Sequence, residues 1–336
     1  MKGRNWLAIL ILTMSIFIGI PVAAVMIYNY QIDPLWNFDH SNDKNNAQRA
    51  FDERLQKINY MNSHEMDYDS LLIGSSRVTY LNSTEFKDEK VLNLSLSSIH
   101  IDEYLNYILY AQSLNDKPFN KIYIELYNNL YLSSFKQTAN SLDYYTGISE
   151  APFYKIKSLF SYDTLLKSRE NARYAEEIPD TIPRLYKRNL DTFNEFTPYK
   201  ESRVKELLTN ALNKDGTYEY YPEFKTKLEE IKKAFPNAEI IAFSDLLPME
   251  NLKLTNTTNN RIDLYNQYVR DVVDVFGSFY SFHNSNYITE NYDGNFFDYF
   301  HFNNQIGAEV IRSLENPEDS EIVEVITDQN IRWYEF

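Results

Sequence analysis

The stretch Tyr68-Asp69-Ser70-Leu71-Leu72-Ile73-Gly74-Ser75-Ser76-Arg77 decides how the rest of this chain is read. Leu71, Leu72 and Ile73 form a short apolar run, which suits a strand buried on both faces of a parallel sheet. Gly74 ends the run where the chain turns sharply and a Cβ would be in the way. Two hydroxyls and a guanidinium follow at once. Ser75, Ser76 and Arg77 therefore fall at the carboxyl end of a central strand, where open α/β sheets bind their ligands. On this stretch alone, a strand followed by a Ser-capped helix accounts for the same residues.

Four further runs have strand character: residues 90–94, 122–126, 238–243 and 278–282. Helical patterns interleave with them at 49–60, 101–114, 223–234 and 260–276, and again after Asn303 through Gly307, Ala308, Val310 and Ile311. This alternation predicts an α/β fold whose mostly parallel, five-stranded sheet carries helices on both faces. Polar residues end three of the strands: Ser95 to Ser98, then Asn128 and Asn129, then Ser244 and Asp245. Between the third and fourth strands lie about 110 residues, too many for one crossover helix. Pro152, Pro179, Pro183 and Pro198 punctuate this excursion, and 204–213 reads as helix. It is either a helical cap over about 131–222, beside the active face, or a solvated loop with no role in binding. Phe153, Tyr154, Phe160, Tyr162 and Tyr186 are available in it to pack over a sugar.

Lys2 and Arg4 precede an apolar run from Trp6 to about Ile27. Such a run crosses the roughly 30 Å hydrocarbon layer as a helix. Basic residues before it and acidic residues after it predict a single pass with the N-terminus inside. The competing reading is a signal peptide cleaved near Val22-Ala23-Ala24, but apolar residues continue past that site. The domain plan is thus a cytoplasmic tip and anchor at 1–28, a polar stalk at 29–65, and an extracytoplasmic domain at 66–336. The net charge of −15 over 336 residues argues against nucleic acid as a partner, because phosphate binding needs a basic face. Cysteine is absent, which removes disulfides and thiolate metal sites. No cofactor or metal is expected.

Near the C-terminus stands Phe296-Phe297-Asp298-Tyr299-Phe300-His301-Phe302-Asn303. Asp298 and His301 are three residues apart, so one turn can point both the same way. A serine nucleophile needs an imidazole to take its proton, and that imidazole needs a carboxylate to hold the useful tautomer. Ser76, His301 and Asp298 supply those roles. His100 and His283 have no Asp three residues before them. A capping Asp beside a core histidine is the plainer reading of the same pair.

Taken together, Gly-x-Ser after the first strand, a polar turn after the second, Asn after the third and Asp-x-x-His near the end resemble the SGNH (GDSL-like) hydrolase superfamily. The Gly74-Ser75-Ser76-Arg77 version is similar to its membrane-anchored branches, which include the teichoic-acid D-alanine-transfer and exopolysaccharide O-acetylation proteins. The resemblance covers roughly residues 66 to 312, without most of the excursion. It implies a flavodoxin-like, three-layer α/β/α sandwich and acyl-ester chemistry. It also implies Ser76 as nucleophile, His301 as base, Asp298 as its orienting acid, and an oxyanion hole from the N–H of Ser76, the N–H near Ser98 and the amide of Asn128. This sequence departs from the family pattern at several points. Ser75 replaces a frequent Asp, Ser98 and Leu126 stand where Gly is usual, and Asn129 follows Asn128 where Asp is usual, leaving open which of the two asparagines faces the site. Arg77 either holds an anionic group of the substrate or pairs with a carboxylate.

The expected function is a membrane-anchored, extracytoplasmic serine esterase or O-acyltransferase. Its expected partners are the membrane, through the N-terminal helix, and a cell-envelope glycan, lipid-linked substrate or acyl-donor membrane protein. The alternative is a catalytically silent envelope scaffold or glycan-binding protein.

Overall fold

The computed structural model describes residues 2–177, 184–193, 205–206, 209–210, 212 and 216–334. Pro179, Pro183, Pro198 and half of the expected helix at 204–213 lie outside them. The chain divides into two compact units. One contains Met1–Glu65, Asp143–Pro179 and Leu185–Asn189; the other contains Met66–Leu142, Asp180–Arg184 and Leu190–Phe336.

In the first unit, α1 (Lys2–Met14) runs through a π-helical turn (Ser15–Gly19) into α2 (Ile20–Ile32). Within the 27 residues Trp6–Ile32, the most apolar 18 have a mean hydropathy of 2.5 and none of them is buried, whereas Asn29 and Ile32 at the far end are buried. At 1.5 Å per residue the 27 residues extend about 40 Å, enough to cross a bilayer. The helix stops at Asp33, whose backbone is left-handed and whose carboxylate accepts the N–H groups of Asn37 and Phe38 and pairs with Arg188.

Residues 29–65, read as a stalk, are instead folded against the excursion. Asn29 donates to the Leu159 carbonyl and accepts from Ser168. The Trp36 indole N–H donates to Gln48. Asp52 caps α3 (Glu53–Met61), and helices α5 (Leu142–Ser149), α6 (Tyr154–Phe160) and α7 (Tyr162–Glu176) follow in the excursion. The excursion is therefore not one cap body over 131–222, since Asp143–Pro179 clusters with the N-terminal segment. Of its aromatics, Tyr186 is buried against Trp36 and Tyr154 bonds Asn59, whereas Phe153, Phe160 and Tyr162 are exposed.

The second unit is built on a six-stranded sheet, one strand more than expected. Its strands are β1 (Ser70–Gly74), β2 (Val91–Ser95), β3 (Lys121–Glu125), β4 (Glu239–Phe243), β5 (Phe279–Ser281) and β6 (Glu324–Ile326), in the order β2-β1-β3-β4-β5-β6. The first five are parallel, and β6 joins antiparallel to β5. Leu71, Leu72 and Ile73 on β1 are fully buried, as an apolar run in an interior parallel strand requires. The connecting helices are α4 (Ile101–Leu114), α8 (Phe224–Ala234), α9 (Met249–Asn256), α10 (Arg261–Phe276) and α11 (Asn304–Glu315). Asn303 caps α11 by accepting the Ile306 N–H, which fixes where the helix begins just after His301. The loops leaving β1 to β4 all start from one edge of the sheet, so the segments after Gly74, Ser95, Glu125 and Phe243 converge.

Candidate active site

A cavity of about 460 Å³ opens at that edge. Ser75, Ser76 and Arg77 after β1, Ser98 after β2, Tyr127 to Asn129 after β3 and Asp245 after β4 line it, together with His301.

Ser76 Oγ lies 2.8 Å from His301 Nε2, although the two are 225 residues apart in the chain. His301 Nδ1 lies 2.8 Å from Asp298 Oδ2 and 3.0 Å from Oδ1. Asp298 is held in turn, because its Oδ1 accepts the backbone N–H groups of Phe300 and His301 at 2.7 and 2.8 Å. Burial alone would raise its carboxyl. The hydrogen bonds from the His301 ring and from those two amides outweigh burial and hold it below the ordinary range. The imidazole stacks on Phe297 at 5.4 Å and meets the edge of Tyr80. An Nδ1–H committed to a carboxylate leaves Nε2 as the acceptor facing Ser76.

Several residues lining the same cavity carry unused donors. Among the described residues, the Ser76 N–H, the Ser98 N–H and the Asn128 side-chain NH₂ have no hydrogen-bond partner. Ser98 has φ +53°, so the backbone there takes the left-handed form usually left to glycine. Asn128 is fixed through its backbone N–H, which donates to Asp245 at 3.0 Å. Asn129 is engaged elsewhere, accepting from Arg261 at 2.7 Å. The bonds to both asparagines take the side-chain oxygen, and neither side-chain NH₂ has a partner among the described residues, so hydrogen bonding does not choose between them.

Arg77 is committed inside the protein. Its Nε donates to Glu125 Oε1 at 3.1 Å, its Nη1 lies 3.5 Å from Asp245 Oδ2, and its plane covers Tyr127 at 4.8 Å. Burial opposes its charge, but Asp245 and Glu125 more than restore it and raise its pKa. The pairing with carboxylates is thus present, while Arg77 also lines the cavity beside Ser76. Glu125 also explains Gly74. A Cβ there would lie 2.6 Å from Glu125 Cβ and 2.5 Å from Val78 Cγ2, while the Glu125 carboxylate takes the Ser75 N–H at 2.5 Å.

Glu125 and Asp245 were not singled out as site residues. Burial raises the Glu125 carboxyl despite Arg77. Burial also works to raise Asp245, but Arg77 and His283 hold it low. His283 bonds Asp245 at 3.0 Å and Tyr265 at 2.9 Å, which makes it a buried member of this network. The visible signal was an acidic residue ending each of two apolar strands. Among the described residues, no group of three His, Asp or Glu side chains is arranged to hold a metal. No family model, no curated protein and no solved structure matches this chain.

Proposed function

We propose that this chain is a membrane-anchored serine esterase or O-acyltransferase of the SGNH type, forming an acyl-enzyme on Ser76. The observation that carries the reading is the hydrogen-bonded run Ser76–His301–Asp298 beside the unpaired Ser76 and Ser98 N–H groups and the Asn128 amide. Ser76 Oγ attacks the ester carbonyl as His301 Nε2 takes its proton. Asp298 steadies the imidazolium through Nδ1. The Ser76 and Ser98 N–H groups and the Asn128 amide receive the developing oxyanion. His301 then returns the proton to the leaving alcohol, and the acyl group stays on Ser76. Water as acceptor completes hydrolysis, and a sugar hydroxyl completes transfer. Both outcomes share the acyl-enzyme.

The anchor reading rests on Trp6–Ile32, with Lys2 and Arg4 before it. It assigns the N-terminus to the cytoplasm and the sheet unit to the outside, facing an envelope glycan, lipid-linked substrate or acyl donor. The three-layer sandwich belongs to the same proposal. Incubating the full chain with 4-nitrophenyl acetate and quenching in acid tests it. Mass spectrometry should find one acetyl group on the peptide containing Ser76, absent from Ser76→Ala. Acetylation spread over lysines, with none on Ser76, rules the reading out.

A further inference from the structure

The wall of the cavity formed by α9 and α10 holds a charge that no described residue matches. Arg261, the first residue of α10, lines the cavity with Tyr218, Asn251 and Thr255 and is only 3% exposed. Its Nη2 donates to Asn129 Oδ1 at 2.7 Å and to the Asn128 carbonyl at 3.3 Å. Its guanidinium lies 4.8 Å from the Tyr218 ring centre. Its Nε is buried with no hydrogen-bond partner among the described residues, and no carboxylate there lies within ion-pair distance. Guanidinium does not deprotonate in proteins, so among the described residues this is a buried positive charge without a carboxylate partner.

Arg77 makes the contrast. It lines the same cavity and has two carboxylates. Asp245, which also lines the cavity, is taken by Arg77 and His283. In a chain of net charge −15, a cavity wall left positive is not the local average. The helix adds to it, because α10 is 16 residues long, begins at Arg261 and has no side-chain cap, so its positive end lies at this residue.

We propose that Arg261 is an oxyanion-binding subsite. The molecule that brings or receives the acyl group carries a carboxylate or phosphate that seats on Arg261 while its reacting group lies at Ser76. The second half rests on the acyl-ester reading; the binding half does not. A planar guanidinium with Nε free offers the parallel donors that such oxyanions accept. Stacking on Tyr218 and the bond to Asn129 hold it in place before a ligand arrives.

The test uses the full chain in detergent, as wild type and as Ser76→Ala, titrated calorimetrically with inorganic phosphate and with succinate against sodium chloride of equal ionic strength. At least one anion should bind saturably to both proteins, and the tighter of the two names the group. Arg261→Gln should weaken that binding tenfold or more. If Arg261→Gln does not melt cooperatively, Arg261→Lys carries the comparison and should also bind more weakly, since one ammonium cannot supply the fork. Absence of saturable binding in wild type, or equal affinity in the folded variant, overturns the subsite. Anion binding that persists when Ser76 proves unreactive leaves the subsite standing and removes the ester reading. A reactive Ser76 without anion binding does the reverse.

Discussion

Replacing Gly307 with Ala should uncouple the nucleophile from its base. Gly307 sits one turn into α11, and a Cβ there would stand 2.0 Å from the Tyr80 carbonyl oxygen and 2.9 Å from its carbon. Tyr80 closes the short 3-10 turn Val78–Tyr80 that follows Ser76, and His301 lies just before the Asn303 cap of α11. The two halves of the Ser76–His301 pair are thus carried by the two segments that the methyl would push apart. Neither clashing atom belongs to a flexible side chain. Reaching an ordinary separation of 3.4 Å from 2.0 Å needs a movement of about 1.4 Å, and a hydrogen bond fails by roughly 3.5 Å. The 2.8 Å Ser76–His301 contact has little room for that. Helix propensity favours Ala by about 1 kcal/mol, but overpacking against fixed backbone costs about 1–3 kcal/mol, so the net should be destabilising. Misplacement of this size costs about a hundredfold in turnover. Ester hydrolysis and thermal melting, measured side by side, check both effects. Gly147→Ala is the control, because Gly147 lies in α5 and its Cβ would meet nothing within 4 Å. A Gly307→Ala protein with wild-type turnover and an unchanged or higher melting temperature would refute the packing argument.

Asp298→Asn should lower kcat by about 10³–10⁴-fold through loss of the productive tautomer, read by the same ester assay. Because the Asp298 carboxyl is held low in the fold, its stabilisation is present above the ordinary Asp range and lost as pH falls through the depressed value. Acid titration of Asp298→Asn should accordingly lack that part of the wild-type loss. Glu125 has the opposite sign: its raised carboxyl stabilises most below the ordinary Glu range, and that contribution is lost as pH rises through the raised value. Melting from acid to neutral pH should therefore show wild type losing ground relative to Glu125→Gln, and a gap that widens in favour of wild type contradicts this. Ser98→Gly should raise stability by about 1 kcal/mol at its left-handed backbone, measured by chemical denaturation, and leave the Ser98-position N–H able to donate.

The fold was legible where burial forces a simple pattern. Interior parallel strands read as apolar runs, so the first five strands fall where those runs are, and α4 spans 101–114 as its spacing predicts. Strand β6 is three residues at an antiparallel edge, Glu324–Ile326, too short to carry a period. Ser76, Asp298 and His301 could be picked out because the proposed roles fix the residue types. The struts behind them could not: Arg77 finds Glu125 and Asp245 only after the sheet is assembled, so neither spacing nor composition marks the pairing. That the helices α5 to α7 group with the N-terminal segment was not legible for a similar reason. Their partners, such as Asn29, lie more than a hundred residues away in the chain, and nothing local announces them.

The most direct test is covalent labelling of the full chain with a fluorophosphonate probe, followed by peptide mapping. The adduct should sit on Ser76, and it should vanish in Ser76→Ala and fall sharply in His301→Ala, with melting showing that both variants remain folded. A folded wild-type protein that gives no adduct on Ser76 would contradict the account at its centre, and the Ser76–His301–Asp298 run would then be structural.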